Sequence, residues 1–318
     1  MKRLILAAIA IAAFTQSALA QDKWPSRPIK LIVPYAAGGN TDAVARIAGV
    51  HLQNDLGVSV VIENRGGAGG IVGTDAVAKA APDGYTLCVC SIGPLTISPA
   101  TEQLPYDPLN DLVPISLLNT NPLILLVNPA VKANSVPELI ALAKASPDGL
   151  NYSSSGIGGL MYFSAELFRS KTGSKLTHVP YRGGAPATAA VIAGEVQLVF
   201  TNMSDAVGQL EGGKVRALAV TTSKRSASAP SIPTLAEQGI ADCHTESWNG
   251  LFAPKGTPQA IVDRLAQVAA AMAKDPAVQQ QMAKFGSDAV SNTPQEFAAM
   301  LKRDTQMWAA VVKQIGEK

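Results

Sequence analysis

Short glycine-rich segments that could bind an anion recur along the sequence. Residues 34–42 follow an apolar, β-branched run at 29–33, and further examples lie at 66–70 and 154–159. Glycine lets backbone N–H groups approach a ligand closely, and a following helix points its positive end at the same place. Such a segment binds a negative group without any charged side chain. One segment alone is more often a tight turn, but several at the same edge of two sheets favour a shared ligand site.

Side chains near these segments could add hydrogen bonds to a bound acid. Suitable groups, each equally able to serve only in packing or at the surface, belong to Tyr35, Ser91, Tyr162, Tyr181, Thr201 and Asn202. Asp42 differs, because a carboxylate would repel an acidic ligand. It lies in the first predicted helical turn, four residues before Arg46, which is a favourable spacing for an ion pair. We therefore predict that Asp42 caps the loop rather than contacting the ligand.

Residues suited to catalysis or metal binding form no recognisable pattern. His51, His178 and His244 have no spacing that pairs any of them with a nucleophile. Ser155 lacks the Gly-x-Ser-x-Gly context of a nucleophile elbow. The sequence has no CxxC and no His/Cys cluster, so it gives no support for a metal. The sequence thus predicts a binding protein without a cofactor rather than an enzyme, and a secreted hydrolase using Ser155 is the least favoured alternative.

Three cysteines are present, at positions 88, 90 and 243. Cys88 and Cys90 lie two apart on a predicted strand, so their side chains share a face, and we expect them to be poorly placed to bridge each other. Buried thiols are the favoured prediction, since cysteine is among the most buried residues. A bridge from either one to Cys243 is the alternative.

The N-terminus predicts export. Lys2 and Arg3 precede an apolar run at 4–14 and a small-residue site at 18–20, the layout of a signal peptide cleaved before Gln21. A membrane anchor is the alternative, but the run is too short to span a bilayer comfortably. Without Lys2 and Arg3 the 26 basic residues become 24, equal to the 24 acidic ones. A chain without net positive charge lacks the basic surface that nucleic acid requires, so we expect it to bind none. The export signal predicts that the protein is periplasmic.

The elements that must position the loops alternate between strand and helix, which predicts parallel sheets in an α/β fold. Predicted strands lie at 29–33, 58–62, 85–91, 114–127, 150–153, 176–179, 196–200, 215–221 and 248–252, and the closing helices lie at 258–274, 276–285 and 294–315. The first series of strands lacks helices, so the C-terminus should return to it. This predicts two lobes joined by crossings near 118–122 and 246–250. Lobe 1 would comprise 21–120 plus 247–318, and lobe 2 would comprise 121–246.

Motifs spread over nearly the whole mature chain add a resemblance. They are PYAAGGNTDAVAR (34–46), ENRGGAGGIVG (63–73), APDGYTL (81–87), LPYDPLNDL (104–112), SSGIGGLMYFSAELF (154–168), HVPYRGGAPA (178–187), SIPTLAEQG (231–239) and WNGLFAPKGTP (248–258). Together they resemble the Bug family, the TctC-type receptors of tripartite tricarboxylate transporters. The resemblance implies a two-lobed periplasmic-binding-protein fold, type II like, acting as a monomer that closes on a carboxylate and delivers it to a membrane transporter.

The resemblance also implies a site. Loop 35–41 and the facing loop 155–159 would grip the carboxylate, and 181–183 and 201–205 would complete the wall. The resulting ligand-binding residues are Tyr35, Ala37, Gly38, Gly39, Asn40, Thr41, Ser91, Ser155, Gly156, Gly158, Gly159, Tyr162, Tyr181, Arg182, Thr201, Asn202 and Asp205. Many relatives have a histidine in place of Tyr162 and a proline within the stretch 36–37. The phenol of Tyr162 would enlarge or reshape the cleft for an aromatic acid. A mono-, di- or aromatic carboxylate is expected. The alternative role is that of a ligand-sensing partner for a membrane sensor kinase.

Overall fold

The computed structural model describes residues 24–181, 183–226 and 229–316, so the predicted export signal lies outside the described residues. Strands and helices alternate along these residues, as an α/β fold requires. The strands are β1 (Ile29–Val33), β2 (Val60–Asn64), β3 (Thr86–Ser91), β4 (Leu112–Val127), β5 (Leu150–Ser154), β6 (Leu176–Pro180), β7 (Leu198–Asn202), β8 (Arg216–Val220), β9 (Glu246–Pro254) and β10 (Asp288–Ala289). The helices are α1 (Asn40–Leu56), α2 (Ile71–Ala78), α3 (Ser98–Thr101), α4 (Val136–Ala145), α5 (Leu160–Thr172), α6 (Gly184–Ala193), α7 (Met203–Glu211), α8 (Gln259–Lys274), α9 (Pro276–Ala283) and α10 (Pro294–Ile315). Within the described ranges, no helix combines the length and the apolar character needed to cross a membrane.

Three parallel strands stand at each end of one continuous sheet, whose order is β2-β1-β3-β9-β4-β7-β5-β6. β1 pairs with β2 and β3, and β5 pairs with β6 and β7. We call these two groups the first and the second half-sheet. Parallel neighbours need crossover connections, and the intervening helices provide them. The apolar side chains of β1 are buried, because helices cover the half-sheet.

Antiparallel strands join the two half-sheets. β4 pairs with β9 as far as Pro122 and with β7 from Leu123 onward. β9, which begins at Glu246, also pairs with β3 of the first half-sheet. The chain therefore crosses between the halves along β4 and again at the start of β9, which confirms the two predicted crossings.

The register of these strands decides where the loops lie. β3 ends at Ser91, which is opposite Asn249, and Asn249 is in turn opposite Asn119 of β4. β7 ends at Asn202, opposite Leu123 of β4. The carboxyl ends of both sets of parallel strands therefore point toward the same crossing segment. Ligands of parallel α/β sheets bind beyond these ends, so the candidate site lies between the half-sheets.

The last helices pack on the first half-sheet and on the strands that join the two half-sheets. Leu265 and Met272 of α8 share an apolar cluster with Leu31 of β1. Phe297 of α10 packs edge-on against Trp248 of β9, with 5.5 Å between ring centroids. The chain therefore returns to the first half-sheet after completing the second.

The prediction that Cys88 and Cys90 do not bridge each other is wrong. The two form a disulfide within β3, with their Cα atoms 5.5 Å apart. Residues two apart on a strand point to the same face, and this separation lies inside the range that disulfides span. Cys243 is a buried free thiol, and burial raises its pKa to about 12.

Helix caps occur where hydroxyl or carboxylate residues precede the helix. Ser135 accepts a hydrogen bond from the Glu138 N–H at the start of α4, but the Glu138 carboxylate accepts from Asn134 rather than from Ser135. The complete capping box belongs to α10, between Thr293 and Glu296. α4 thus has only one of the two hydrogen bonds of a capping box.

Candidate ligand-binding site

Two loops at the facing ends of the half-sheets share a backbone conformation at the last two residues before the helix. The first loop joins β1 to α1, and the second loop joins β5 to α5. Each contains a glycine with positive φ, Gly38 at 91° and Gly158 at 85°. Each then has a glycine with an extended backbone before the helix, Gly39 or Gly159. Positive φ favours glycine because it has no Cβ, so the two loops need glycine at the equivalent place.

The helices after these loops begin without a side-chain cap. Gly39 and Gly159 occupy the N-cap positions of α1 and α5 and have no side chain with which to accept a hydrogen bond. By contrast, Ser135, Asp275 and Thr293 cap α4, α9 and α10. The first-turn N–H groups of α1 and α5 are therefore available to an anionic ligand.

Asp42 holds the first loop in place. Its carboxylate accepts hydrogen bonds from the Gly38 N–H at 2.9 Å, from the Asn64 amide at 2.9 Å and from the Arg46 guanidinium at 2.9 Å. Burial opposes ionisation, but the bonds from Arg46, Gly38 and Asn64 outweigh it and hold the pKa of Asp42 below its usual value. Asp42 therefore behaves as the predicted loop cap, with its charge satisfied inside the protein.

Tyr35 and Ser91 are brought together and use their hydroxyls on each other. The Tyr35 hydroxyl lies 2.7 Å from the Ser91 hydroxyl and donates to the Gly69 carbonyl at 3.0 Å. Burial raises the pKa of Tyr35 to about 12, although the bond with Ser91 opposes the rise. The Asn64 amide also donates to the Tyr35 carbonyl. These two predicted residues thus brace the first loop against the neighbouring glycine segment.

Tyr162 packs behind the second loop. It is 5% exposed, and its ring lies 4.8 Å from the His178 ring and 5.2 Å from that of Phe163. His178 Nε2 lies 2.7 Å from the hydroxyl of Ser154, which also accepts from the Gly156 N–H at 3.1 Å. The aromatic ring and the Ser154 hydroxyl therefore fix the second loop from the side of its own half-sheet.

The second loop lies close to the first half-sheet at α3. A Cβ placed on Gly158 would be 3.6 Å from Glu102 Oε1 and 3.9 Å from the Ser98 hydroxyl. Ile157, beside it, is 68% exposed, which is unusual for a large apolar side chain. Sequence reasoning did not select these side chains. Ile157 lies within the predicted loop 155–159, but Ser98 and Glu102 lie outside every motif.

Two predicted polar side chains have no partner within the part of the chain that the structure describes. Asn40 and Ser155 are partly exposed, and neither side chain has a hydrogen bond to any of the residues at 24–181, 183–226 and 229–316. Ala37 is exposed, and a Cβ placed on Gly156 would meet open space. These positions form the open faces of the two loops.

The N-termini of α6 and α7 form the remaining wall. Thr201, at the end of β7, is fully buried; its hydroxyl accepts from Thr188 at 3.1 Å and donates to Asp205 at 3.4 Å. Asn202 also bonds to Asp205 through its side chain. Thr201 and Asn202, two of the predicted wall residues, therefore both bond to a third, Asp205.

Tyr181 and Arg182 contribute differently from what their sequence positions suggest. The Tyr181 hydroxyl donates to Glu195 at 3.0 Å, beyond the C-terminal end of α6. Its hydroxyl is therefore directed along α6 and away from the loops. Arg182 lies outside the described residues.

Thr41 is tied to the crossing strands. Its hydroxyl, in the first turn of α1, donates to the Asn249 side-chain oxygen at 2.8 Å. The Asn249 amide in turn donates to the Asn119 side-chain oxygen at 2.8 Å, across the β4–β9 pair. All three residues are buried. The predicted ligand residue Thr41 therefore anchors α1 to the crossing strands β4 and β9.

The hydrogen bonds continue from Asn119 to the second half-sheet. Ser287 accepts from the amides of Asn119, at 3.2 Å, and Asn121, at 2.7 Å. The Asn121 oxygen accepts from the Met203 N–H at the start of α7, at 3.1 Å. We call Thr41, Asn249, Asn119, Ser287 and Asn121 the hinge relay. Two asparagines within a mostly apolar strand were the sequence signal for it, and sequence reasoning missed them.

A groove elsewhere in the second half does not involve the predicted residues. It encloses about 330 Å³ and is lined in part by Leu150, Gly194 and Gln197. Leu150 begins β5, and Gln197 immediately precedes β7. This groove therefore lies at the amino ends of the strands, opposite to the loops.

Comparison with known proteins adds the family. Residues 44–317 match the family described as TctC, tripartite tricarboxylate transporter family receptor. Protein BugT of Bordetella pertussis is 38% identical over 299 residues, which cover 93% of this chain and 92% of BugT.

Solved structures agree with this match. A Rhodopseudomonas palustris protein solved with adipate superposes with a TM-score of 0.88 and 34% identity, covering 92% of this chain and 98% of its own. MatC from the same organism, with bound malate, has a TM-score of 0.86 and 32% identity, covering 91% and 100%. The similarity therefore extends over both half-sheets and the loops between them.

Proposed function

Because the chain belongs to the TctC family of tripartite tricarboxylate transporter receptors, we propose that it is an exported receptor that binds a small organic carboxylate between two lobes. The observation that carries the proposal is the matched pair of loops with uncapped helices at the facing ends of the half-sheets. Their main-chain N–H groups can hold a carboxylate without a basic side chain. The relatives solved with adipate and malate support the same ligand class.

The proposed lobes follow the switch of strand pairing along β4. Lobe 1 comprises 21–120 plus 247–318, and lobe 2 comprises 121–246. The change of β4 from β9 to β7 between Pro122 and Leu123 supports the first boundary, and the start of β9 at Glu246 supports the second. Closure of the lobes about these strands would bring the two loops onto one ligand.

We assign different roles to the predicted residues. The N–H groups of residues 39–41, 157, 158 and 160, which have no partner among the described residues, form the carboxylate contacts together with the side chains of Asn40 and Ser155. Tyr35, Ser91, Thr41 and Thr201 position these contacts, because their hydroxyls are already paired within the protein. The role is that of a binding protein rather than a hydrolase, since the imidazole near the second loop bonds to the buried Ser154 and not to Ser155. In the cell we place the receptor in the periplasm as a monomer, where it delivers its ligand to the membrane subunits of a tripartite transporter.

Gly39→Val tests the proposed anion site. A Cβ on Gly39 would meet no atom within 4 Å, and φ at this position is −86°, which valine tolerates. The variant should therefore fold, while the valine side chain would cover the N–H groups at the start of α1. We expect at least a tenfold loss of carboxylate affinity by calorimetry, with a melting temperature close to that of the wild type.

Gly208→Val is the matched control, since a Cβ there also meets no atom within 4 Å, and it lies on the exposed side of α7. A thermal-shift screen of carboxylates, sugars and amines without a carboxylate supplies the ligands. If only sugars or amines stabilise the wild type, or if Gly39→Val binds acids normally, the proposed function is wrong.

A further inference from the structure

Asp205 is the third residue of α7, and its carboxyl group lies in a narrow space between three helices. Its Oδ2 atom lies only 2.5 Å from the place where a Cβ on Gly184 would be. Gly184 begins α6, and the same Cβ would be 3.6 Å from the sulfur of Met161, in the first turn of α5. The carboxyl group is therefore surrounded by the N-termini of α5, α6 and α7.

The space around the Asp205 carboxyl group adjoins the second loop. Met161 is the second residue after Gly159, the N-cap at which that loop ends. Thr201 and Asn202, which bond to Asp205, are the last residues of β7, at the end of the half-sheet that faces the crossing. Asp205 is partly exposed, so a ligand held by the second loop could reach its carboxyl group.

Within the described residues, the carboxyl group has no positive partner. Its bonds within the described residues come from the Thr201 hydroxyl and the Asn202 amide, and none of the ion pairs formed by those residues includes it. A carboxylate buried without a cation is unfavourable, and burial raises the pKa of Asp205 to about 6. At neutral pH the group is mostly ionised. It therefore favours any hydrogen-bond donor or cation that a ligand brings.

A plain dicarboxylate cannot supply such a group. Its second carboxylate would lie near the charge of Asp205, and two carboxylates in one site repel each other. An ammonium or hydroxyl group in that place would donate a hydrogen bond to Asp205 and relieve its unpaired burial. The chemistry at the two ends of the ligand should therefore differ.

Resting on the proposed function, we infer that Asp205 selects a ligand that has one carboxylate and, at its other end, a hydrogen-bond-donating group, with ammonium favoured over hydroxyl. The loops hold the carboxylate end and Asp205 holds the donor end. This assigns the receptor to amino acids and hydroxy acids rather than to unsubstituted dicarboxylates.

The test compares ligands that differ only at the far end. Calorimetry at pH 7.5 with ω-amino acids, ω-hydroxy acids and dicarboxylates of two to six carbons gives the preference at each chain length. We expect the best amino acid to bind at least tenfold more tightly than the dicarboxylate of equal length. Asp205→Asn should reduce this ratio at least tenfold, because the neutral amide no longer attracts ammonium or repels carboxylate. Asp148→Asn, an exposed position in the same half of the chain, should leave the ratio unchanged.

The outcomes separate this inference from the function on which it rests. If the wild type prefers the dicarboxylate, the inference is overturned while carboxylate binding stands, and no variant is needed to reach that result. An unchanged ratio in a folded Asp205→Asn protein also overturns it. If no carboxylate of any kind binds, the proposed function itself fails.

Discussion

Asp42 and Asp205 occupy the same position in two helices, the third residue after the N-cap, on opposite sides of the crossing strands. Asp42 is 3% exposed and is bonded to the Gly38 N–H, the Asn64 amide and the Arg46 guanidinium, so its pKa is lowered. Among the described residues, Asp205 has hydrogen bonds only from the Thr201 hydroxyl and the Asn202 amide, and its burial raises its pKa to about 6.

The difference shows that a carboxylate at the start of a helix has no fixed role. An acidic residue in the first turn is favourable in general, because it interacts with the helix dipole and with unpaired N–H groups. In the first half this capacity is fully used to hold a glycine loop. In the second half it is not fully used. Asp205, at the same helical position, therefore still favours a hydrogen bond from a group of the ligand.

Removing the satisfied carboxylate should have the largest effect on stability. Asp42→Ala deletes four hydrogen bonds, two of them from the charged Arg46 guanidinium. It leaves the Gly38 N–H without an acceptor and the Asn64 amide with only the Tyr35 carbonyl. We expect the free energy of unfolding to fall by about 3 to 4 kcal/mol, given 1.5 to 3 kcal/mol for a bond to a charged group. Denaturant unfolding measures the change.

Asp75→Ala is the matched control for that loss. Asp75 pairs with Lys79 at the same i, i+4 spacing, but Lys79 is 61% exposed and no loop depends on the pair. Its removal should cost less than about 1 kcal/mol. Equal losses for the two variants would mean that Asp42 is only a surface ion pair and that the comparison with Asp205 has no basis.

The hinge relay allows a second test, because it anchors both helices that carry these aspartates. Asn249→Ala leaves the Thr41 hydroxyl unpaired in a buried setting, and it leaves the Asn119 oxygen with only the backbone N–H of residue 249. We expect a loss of about 2 to 3 kcal/mol from unsatisfied buried groups. Asn151→Ala, in β5, should be nearly neutral, since the Asn151 side chain has no hydrogen bond within the described ranges. A neutral Asn249→Ala would show that α1 does not depend on the crossing strands.

Much of the first half of the site was predictable from the sequence, because its signals are local. The run from Gly38 to Arg46 contains the positive-φ glycine, the extended N-cap and the i, i+4 ion pair within nine residues. The strands and helices were also predictable, since each element has its own periodicity. Their order, with closing helices that return to the first series of strands, predicted the two crossings.

The remaining features depend on contacts that no local pattern contains. Thr41 was predicted to bind ligand, but its partner Asn249 lies 208 positions away in the sequence. The same holds for the surroundings of Asp205, since Gly184 and Met161 come from two other helices. The Cys88–Cys90 bridge was missed for a different reason. We expected residues two apart on a strand to be poorly placed for a disulfide, but the two Cα atoms are only 5.5 Å apart.

Asp205→Asn should have the smallest effect on stability and the opposite sign to Asp42→Ala. The usual aspartate pKa of 3.8 is raised to about 6 in the folded protein, so the folded state binds the proton more tightly than the unfolded state does. Ionisation of Asp205 therefore costs stability fully above pH 6, and this cost disappears as the pH falls to about 4. At about 1.4 kcal/mol per pKa unit, and allowing for the partial exposure of the side chain, Asn should stabilise the protein by about 2 kcal/mol at pH 7.5. Unfolding of both proteins at pH 7.5 and pH 4 measures the difference, which should shrink toward zero at the lower pH. A variant that is less stable than the wild type at pH 7.5 would mean that Asp205, like Asp42, has its charge satisfied within the protein.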